Sequence, residues 1–487
     1  MPNLILLFAV PLASAVLLFF WPRGAGVNAK RIAAILSLLP LIILLYHHSE
    51  WIGTQVDYDW LPAISMRFHL SVDYLSLIFL YLTAVIIPIS ILSIRSDKIS
   101  HPNVLCGLIL MLQAFLVGFF TVRDLAVFVI FWEAMLIPLY FVINIWGGPN
   151  RQQAALKFII YMIAGSALMV AAVLGLYFVS STSGPGTFNL DLLAKVAESS
   201  PYAPWLFAIF LLAFAVKTPL FPFHAWLPDA YCQAPTAGTI LLAGILSKAG
   251  IYGILRINME LFPTLMQLWG PVLLGFAIAG VLYGAFVAWM QTDYKRLIAY
   301  SSLSHINFVL VGLFVLSQTA HAGAILQAVN HGITITALFL VAGWLEERLG
   351  STVMQQGGGL AKYMPQLCWL TVFFVLSSVA LPGTNNFIGE LMILYGLFGE
   401  NPWLTALLGT SIILSVVYML LWLRNVYFET PKPFNPTFID IKARELLIAL
   451  PLVLLVLWIG IYPAPVLKLV EPASEKPTAV ANLEYPQ

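Results

Sequence analysis

The chain has 487 residues, 61% of them hydrophobic and only 9% charged, and its mean hydropathy is +0.92. A water-facing globular surface carries roughly 25% charge, so lipid must be the main solvent of this chain, and no soluble domain is expected. The net charge of +1 gives no pull on nucleic acid or on strongly acidic partners.

A membrane helix needs roughly 20 mainly apolar residues, and that measure predicts an all-α polytopic protein of about fourteen transmembrane helices. The spans fall near 3–21, 31–48, 73–94, 103–122, 124–146, 152–180, 204–232, 236–258, 264–290, 297–316, 321–345, 365–400, 403–424 and 444–464. The opening stretch MPNLILLFAVPLASAVLLFFWPR lacks a basic leading region and is followed by further spans, so it reads as a retained first helix. Loops are mostly short, and 1–487 is read as a single transmembrane domain. After the last span only a polar tail, EPASEKPTAVANLEYPQ, is expected.

The loops alternate in basic content, which sets orientation. One side holds Arg23, Lys30, Arg31, Arg95, Lys98, Arg151, Lys295, Arg296, Arg348, Lys362, Arg424, Lys432, Lys442 and Arg444. The other holds Arg67, Arg123, Lys195, Arg256, Lys468 and Lys476. The richer side faces the cytoplasm, which predicts both termini on the outer, periplasmic side of a bacterial inner (plasma) membrane. Three of the 23 basic residues remain, Lys157, Lys217 and Lys248, and all three fall within spans.

Two spans are long and interrupted. The seventh contains FAVKTPLFPFHAWLPDA, with Pro219, Pro222 and Pro228; the twelfth contains LSSVALPGTNNFIGELMIL, with Pro382, Gly383, Asn385 and Asn386. Proline removes a backbone donor and clashes with the preceding turn, so each helix must open there. Open backbone at membrane depth is tolerated only beside protein or water. Two broken helices, one per half, point to paired repeats with a functional site at each break, although ordinary proline kinks would read the same way.

A charge at mid-bilayer costs about 2.5–3.5 kcal/mol on insertion scales, so Glu133 (FWEAM), Lys217, Lys248 (LSKAG) and Glu390 (IGELM) need a reason to be there. His305 and His331 lie within the tenth and eleventh spans. Burial disfavours a charged form and an opposite charge restores it, so a Glu–Lys pair whose separation changes can load and unload a proton. Histidine titrates near neutrality and suits a relay, although His305 alone also suits a core position. Lys157 lies close enough to its helix start to snorkel to the headgroups. His224 and Asp229 (FPFHAWLPDA) read as a cap or brace of the broken helix. Asp293, Lys295 and Arg296 (TDYKR) read as solvating a short loop.

Other chemistries lack a signal. Cys106, Cys232 and Cys368 stand alone in apolar stretches, with no zinc or iron–sulfur spacing. No glycine-rich dinucleotide fingerprint or P-loop occurs. The energy that moves protons is therefore expected to come from elsewhere.

The segments FWEAMLIPLYFVINIWGG, KFIIYMIAGSALM, FAVKTPLFPFHAWLPDAYCQAPTAGTILLAGILSKAGIYGILR, QTDYKRLIAYSSLSHINFVLVGL and LPGTNNFIGELMIL, spread over roughly residues 123–395, resemble the antiporter-like proton-pumping subunits of NADH–quinone oxidoreductase, respiratory complex I. Within that family the resemblance is to the M-type, because Glu390 stands where other members carry a lysine. The resemblance implies two inverted five-helix repeats, helices 4–8 (about 103–258) and 9–13 (about 264–424), flanked by helices 1–3 and 14. It also implies that Glu133 pairs with Lys217, that Lys248, His331 and His305 continue a polar axis, and that Glu390 is the exit carboxylate. It implies L-type and N-type neighbours in a membrane arm, protons and internal water as what is handled, and FMN, iron–sulfur clusters and quinone in other subunits, with no cofactor or metal in this chain. The rival resemblance is to the D-type subunit of a multisubunit cation/proton antiporter or its counterpart in a membrane-bound hydrogenase.

Overall fold

The structure, a computed structural model, describes residues 3–22, 26–95, 97, 99–182, 184–430 and 439–474. Arg23, Lys98, Lys432 and Lys476 of the orientation argument, and all of the polar tail beyond residue 474, lie outside the described residues. In chain order the helices are α1 (Leu4–Phe19), α2 (Gly26–Tyr46), α3 (Tyr74–Ser93), α4 (Pro102–Thr121), α5 (Leu125–Trp146), α6 (Arg151–Ser181), α7 (Ala203–Lys217), α8 (Leu227–Gln233) and α9 (Thr236–Leu261). They continue as α10 (Pro263–Trp289), α11 (Tyr294–Phe314), α12 (Gln318–Leu349), α13 (Pro365–Ser378), α14 (Asn385–Glu400), α15 (Pro402–Phe428), α16 (Ala443–Ile461) and α17 (Ala464–Ser474). Among the described residues, eleven helices are long and apolar enough to cross a membrane, and α1, α7 and α13 are shorter apolar helices.

Local signals set many of the boundaries. The side chains of Asp73, Asp124, Asp293, Ser317 and Asn401 each accept from a backbone N–H in the first turn of the following helix, covering donors that helix geometry leaves unpaired. The expected spans at 204–232 and 365–400 are each two helices, α7 with α8 and α13 with α14. The helix α5 is interrupted at Met135, where Pro138 provides no N–H for the carbonyl four residues earlier. Packing sorts the helices by what surrounds them. The most hydrophobic stretches of α9 and α12 are wholly buried and that of α11 nearly so, whereas α2, α15 and α16 leave broad apolar faces exposed. The centre is therefore protein and the rim suits lipid.

Three features depart from the expected short loops and polar tail. Residues Gln55–Leu61 (β1) and Met66–Ser71 (β2) form an antiparallel hairpin, paired from Gln55 with Ser71 to Leu61 with Met66. Arg67 bridges Asp57 at 2.9 Å and Asp59 at 2.5 Å across it. The Arg67 N–H also donates to Asp124 Oδ2 at 3.0 Å, so one carboxylate caps α5 and anchors the hairpin. The helix α17 occupies the start of the expected tail and packs on α3 and α12. Asp293, Lys295 and Arg296 do not simply solvate a loop. Asp293 caps α11, Lys295 is buried and paired with Glu346 at 2.5 Å, and Arg296 pairs with Asp229 at 2.8 Å.

Arg256, read from the sequence as an outer-loop cation, lies inside the last part of α9, where the helix widens to π geometry over Ile254–Asn258. It is buried and pairs with Asp73 at 2.6 Å and Glu260 at 2.7 Å, and Arg123 reaches Glu260 at 3.5 Å. This network ties the start of α3 to the end of α9. Burial alone would push the Asp73 carboxyl up, but the Arg256 guanidinium and the Ser76 N–H hold it well below the usual carboxylate range. A depressed carboxyl stabilises the fold at every pH above its unfolded value, near ~3.9, and loses that effect only as pH falls further. Arg256→Met should therefore destabilise the folded chain by about 1–3 kcal/mol, less than the ~3–5 kcal/mol for a wholly buried pair, because Asp73 keeps contact with solvent. Detergent melting curves should show this deficit unchanged from pH 7 to pH 5.

Candidate functional site

The two breaks are the first landmark. The helix α7 ends at Lys217, with the Thr218 N–H closing on Phe214 O at 2.8 Å, and irregular backbone follows as far as α8. Groups freed there find partners from other elements. Trp226 Nε1 donates to Val216 O at 2.9 Å, while Asn307 of α11 donates to Pro219 O and accepts from the Phe221 N–H, both at 3.3 Å. At the second break, between α13 and α14, Asn330 of α12 donates to Asn385 O at 2.7 Å and Asn385 donates back to Asn330 O at 3.1 Å. Ser377 and Asn386 extend this network: Ser377 donates to Asn385 Oδ1 at 2.8 Å, and Asn386 donates to Ser377 O at 2.9 Å. Gly383, with φ +91°, makes the turn, and Gly460 of α16 lies so close that a Cβ there would meet Gly383 O at 2.4 Å.

Lys217 is wholly buried at the last turn of α7, where the negative end of the helix dipole favours a cation. Its Nζ donates to Trp132 O at 3.3 Å and lies 3.5 Å from the centroid of the Trp132 ring, a geometry in which the aromatic face attracts the ammonium. Trp132 is itself held by a 3.1 Å bond from Nε1 to Ser166 Oγ. Glu133, the next residue, makes no ion pair with Lys217 within 4.0 Å, contrary to the pairing implied by the resemblance. The aromatic ring and the Trp132 carbonyl hold the ammonium instead, and Glu133 Oε1 is buried with no hydrogen-bond partner among the described residues.

A second group forms at the centre. Lys248, fully buried on α9, donates to Ala243 O at 2.6 Å and meets His331 Nδ1 of α12 at 2.8 Å. The preceding segment, Leu242–Leu246, is π-helical, a widening often found at functional sites. Gly244 and Gly332 permit the close approach of the two helices. A Cβ at Gly332 would lie 2.9 Å from Gly244 O, and one at Gly244 would lie 2.6 Å from Thr336 Oγ1. The His331 ring centroid is 5.9 Å from that of His305 on α11. His305 Nδ1 meets Glu390 Oε1 of α14 at 3.1 Å, and Gln327 of α12 donates to the same oxygen at 3.0 Å. Lys248, His331, His305 and Glu390 thus form a buried row across three helix interfaces. Both histidines keep a buried Nε2 without a protein partner among the described residues, which leaves each ring a site to give or take a proton.

The remaining predicted residues lie at the margin. Lys157 pairs with Asp229 at 2.7 Å, and Asp229 also holds Arg296. Lys157 is partly exposed, as a snorkelling residue would be, and Asp229 braces α8 against α6 and α11. His224 is buried among the rings of Phe221 and Tyr283, with centroids at 5.6 and 4.8 Å. The sequence reading missed Gln327, Asn307 and Trp132. A signal existed for the first: Gln327, Asn330, His331 and Thr334 are spaced i, i+3, i+4 and i+7, a polar stripe along one face of α12. Cys106 and Cys368 are buried free thiols.

Residues 122–417, which hold Glu133, Lys157, Lys217, His224, Asp229, Lys248, His305, His331 and Glu390, match the family described as "NADH:quinone oxidoreductase/Mrp antiporter, TM". The chain belongs to this family. The NADH:quinone oxidoreductase/Mrp antiporter match agrees with individual relatives. NADH-quinone oxidoreductase subunit M of Escherichia coli K12 is 36% identical over 474 residues, covering 96% of this chain and 90% of that one. Among solved structures, a chain of respiratory complex I from Thermus thermophilus with bound NADH superposes with a TM-score of 0.88 at 32% identity, covering 97% and 98% of the two chains. A chain of the archaeal membrane-bound sulfane sulfur reductase superposes at 0.85 with 25% identity, covering 99% of each.

Asn307→Leu should leave Pro219 C=O and the Phe221 N–H without their shared partner, at about 1–3 kcal/mol for each buried group left unsatisfied. A matching fall in the detergent melting temperature would show it. An unchanged melt would mean that other groups cover the break.

Proposed function

We propose that this chain is an M-type antiporter-like subunit in the membrane arm of an NADH:quinone oxidoreductase, and that it carries protons across the membrane without redox chemistry of its own. The observation that carries this reading is the buried row Lys248, His331, His305 and Glu390, in which titratable groups meet at 2.8 and 3.1 Å with one ring-to-ring step between them. Buried charges are costly, and a string of them along the membrane plane is accounted for by proton transfer.

In this reading the chain is one transmembrane domain of fourteen spans with both termini outside a bacterial plasma membrane. Two inverted repeats, about 103–258 and 264–424, are each opened at one broken helix. A proton enters from the cytoplasmic side and is held at Lys217. It passes to Lys248 through internal water beside the Thr218 hydroxyl, which packs against Gly250 of α9. It then moves by His331 and His305 to Glu390 and leaves outward. Gln327, donating to Glu390, holds the carboxyl group that receives it in place. Glu133 tunes the proton affinity of Lys217 as the separation between its carboxylate and the lysine nitrogen changes. Moving a charge against the membrane potential requires about 2.3 kcal/mol per 100 mV, and one pKa unit is worth 1.36 kcal/mol, so modest changes in the Glu133–Lys217 separation suffice. Quinone reduction in other subunits, which hold the FMN and iron–sulfur clusters, supplies the energy, and L-type and N-type neighbours transmit it. The likeness to the sulfane sulfur reductase chain supports a second setting for the same machinery. The identity to subunit M over nearly the whole chain favours the first.

Glu133→Gln and Lys217→Ala should each depress proton pumping and the coupled quinone reduction together, measured in vesicles holding the assembled complex. Wild-type pumping by either well-assembled variant would remove that residue from the path. His331→Leu should cut the row between Lys248 and His305 and abolish most pumping while leaving assembly intact on native gels.

A further inference from the structure

The C-terminal end of α3 holds an arrangement that the proton path does not use. Its last carbonyls, Leu92 O and Ile94 O, are approached by two cations from different helices. Lys30 of α2 donates to Leu92 O at 2.9 Å and also to Ile94 O. Arg444 of α16 donates to the same two oxygens, at 2.7 and 3.0 Å. A helix C-terminus carries roughly half a negative charge, enough to favour one cation but not to offset two. Lys30 is buried there, while Arg444 is exposed.

Asp97 attracts Lys30 from a distance, but the carboxylates near these residues make their direct contacts elsewhere. Glu445 pairs with Arg348 at 2.7 Å, and Glu347 and Asp97 pair with Arg95 at 3.1 and 3.0 Å. Asp440 accepts from the N–H groups of Gln366 and Leu367 at the start of α13. Among the described residues no acidic side chain pairs with Lys30 or Arg444 within 4.0 Å. Arg31 and Lys442 add two more exposed cations beside them in the chain.

We infer that Lys30 and Arg444 form a binding site for a phosphate group, supplied by the headgroup of an anionic phospholipid. The third N–H of the Lys30 ammonium and the remaining guanidinium N–H groups of Arg444 have no acceptor among the described residues and can donate to phosphate oxygens. The surroundings select a lipid over a free ion. Beyond Lys30, α2 exposes Ile35, Leu38 and Ile42, and beyond Arg444, α16 exposes Leu447, Leu450 and Leu454. Arg444 thus stands at the polar end of an apolar exposed helix face where acyl chains would lie, and Lys30 reaches the same α3 end from the buried side of α2. Basic pockets between membrane helices on the cytoplasmic side recognise anionic headgroups in this way.

The test uses the chain extracted in mild detergent with the partners it keeps, as wild type, as K30Q/R444Q, and as the charge-conserving K30R/R444K. Native mass spectrometry and phosphorus assay count the retained phospholipid. After delipidation, melting is followed on adding phosphatidylglycerol, phosphatidylcholine or inorganic phosphate. The proposal expects wild type and K30R/R444K to retain one more anionic phospholipid per chain than K30Q/R444Q. It also expects phosphatidylglycerol alone to restore the melting temperature, and to do so severalfold less well in K30Q/R444Q. Equal lipid retention in all three would overturn it. So would restoration by inorganic phosphate, which would make this a free-anion site, or loss of a partner subunit from K30Q/R444Q with lipid content unchanged.

Discussion

The contact between Lys248 and His331 joins what would otherwise be two separate sets of buried charges. Lys248 belongs to α9 and His331 to α12, and they meet because Gly244 and Gly332 remove the side chains that would hold those helices apart. The same approach satisfies the Lys248 ammonium, which pairs with no carboxylate among the described residues and relies on the Ala243 carbonyl, the Ser247 hydroxyl and an imidazole nitrogen. In the proposed path, His305 and Glu390 depend on that junction for access to the first half of the chain.

Opening a helix inside a membrane exposes backbone groups that lipid cannot satisfy, and the two breaks meet this demand differently. The first borrows Trp226 from the break itself and Asn307 from α11. The second is a reciprocal amide network among Asn330, Asn385, Asn386 and Ser377. The looser arrangement stands beside Lys217, whose ammonium rests on an aromatic face, and the denser one lies a turn from Glu390. The chain is thus more tightly held where a proton would leave than where it would be stored.

Much of this was legible in the sequence, for identifiable reasons. A lysine or glutamate in a run of twenty apolar residues is conspicuous because its cost is large, so Glu133, Lys217, Lys248 and Glu390 stand out at once. Prolines and glycines located both breaks. The hairpin at 55–71 was missed because its alternation is short and falls between two strong apolar runs, and α17 because its polar residues read as tail. Gln327, Asn307 and Trp132 were missed because an uncharged polar or aromatic side chain costs little by itself and becomes informative only beside a partner. The absent Glu133–Lys217 ion pair is of another kind: two residues known to be near each other need not touch, and a ring beside the carboxylate competes for the same cation.

Asn307 stands two residues after His305 on α11, so the two side chains leave the helix on nearly opposite sides. One meets Glu390; the other grips both edges of the gap next to Lys217. A twist or slide of this single rod changes both engagements at once, with no intermediate hand-off between them. In the proposed path, the storage point and the departure point of the hydrogen ion therefore share one mechanical axle.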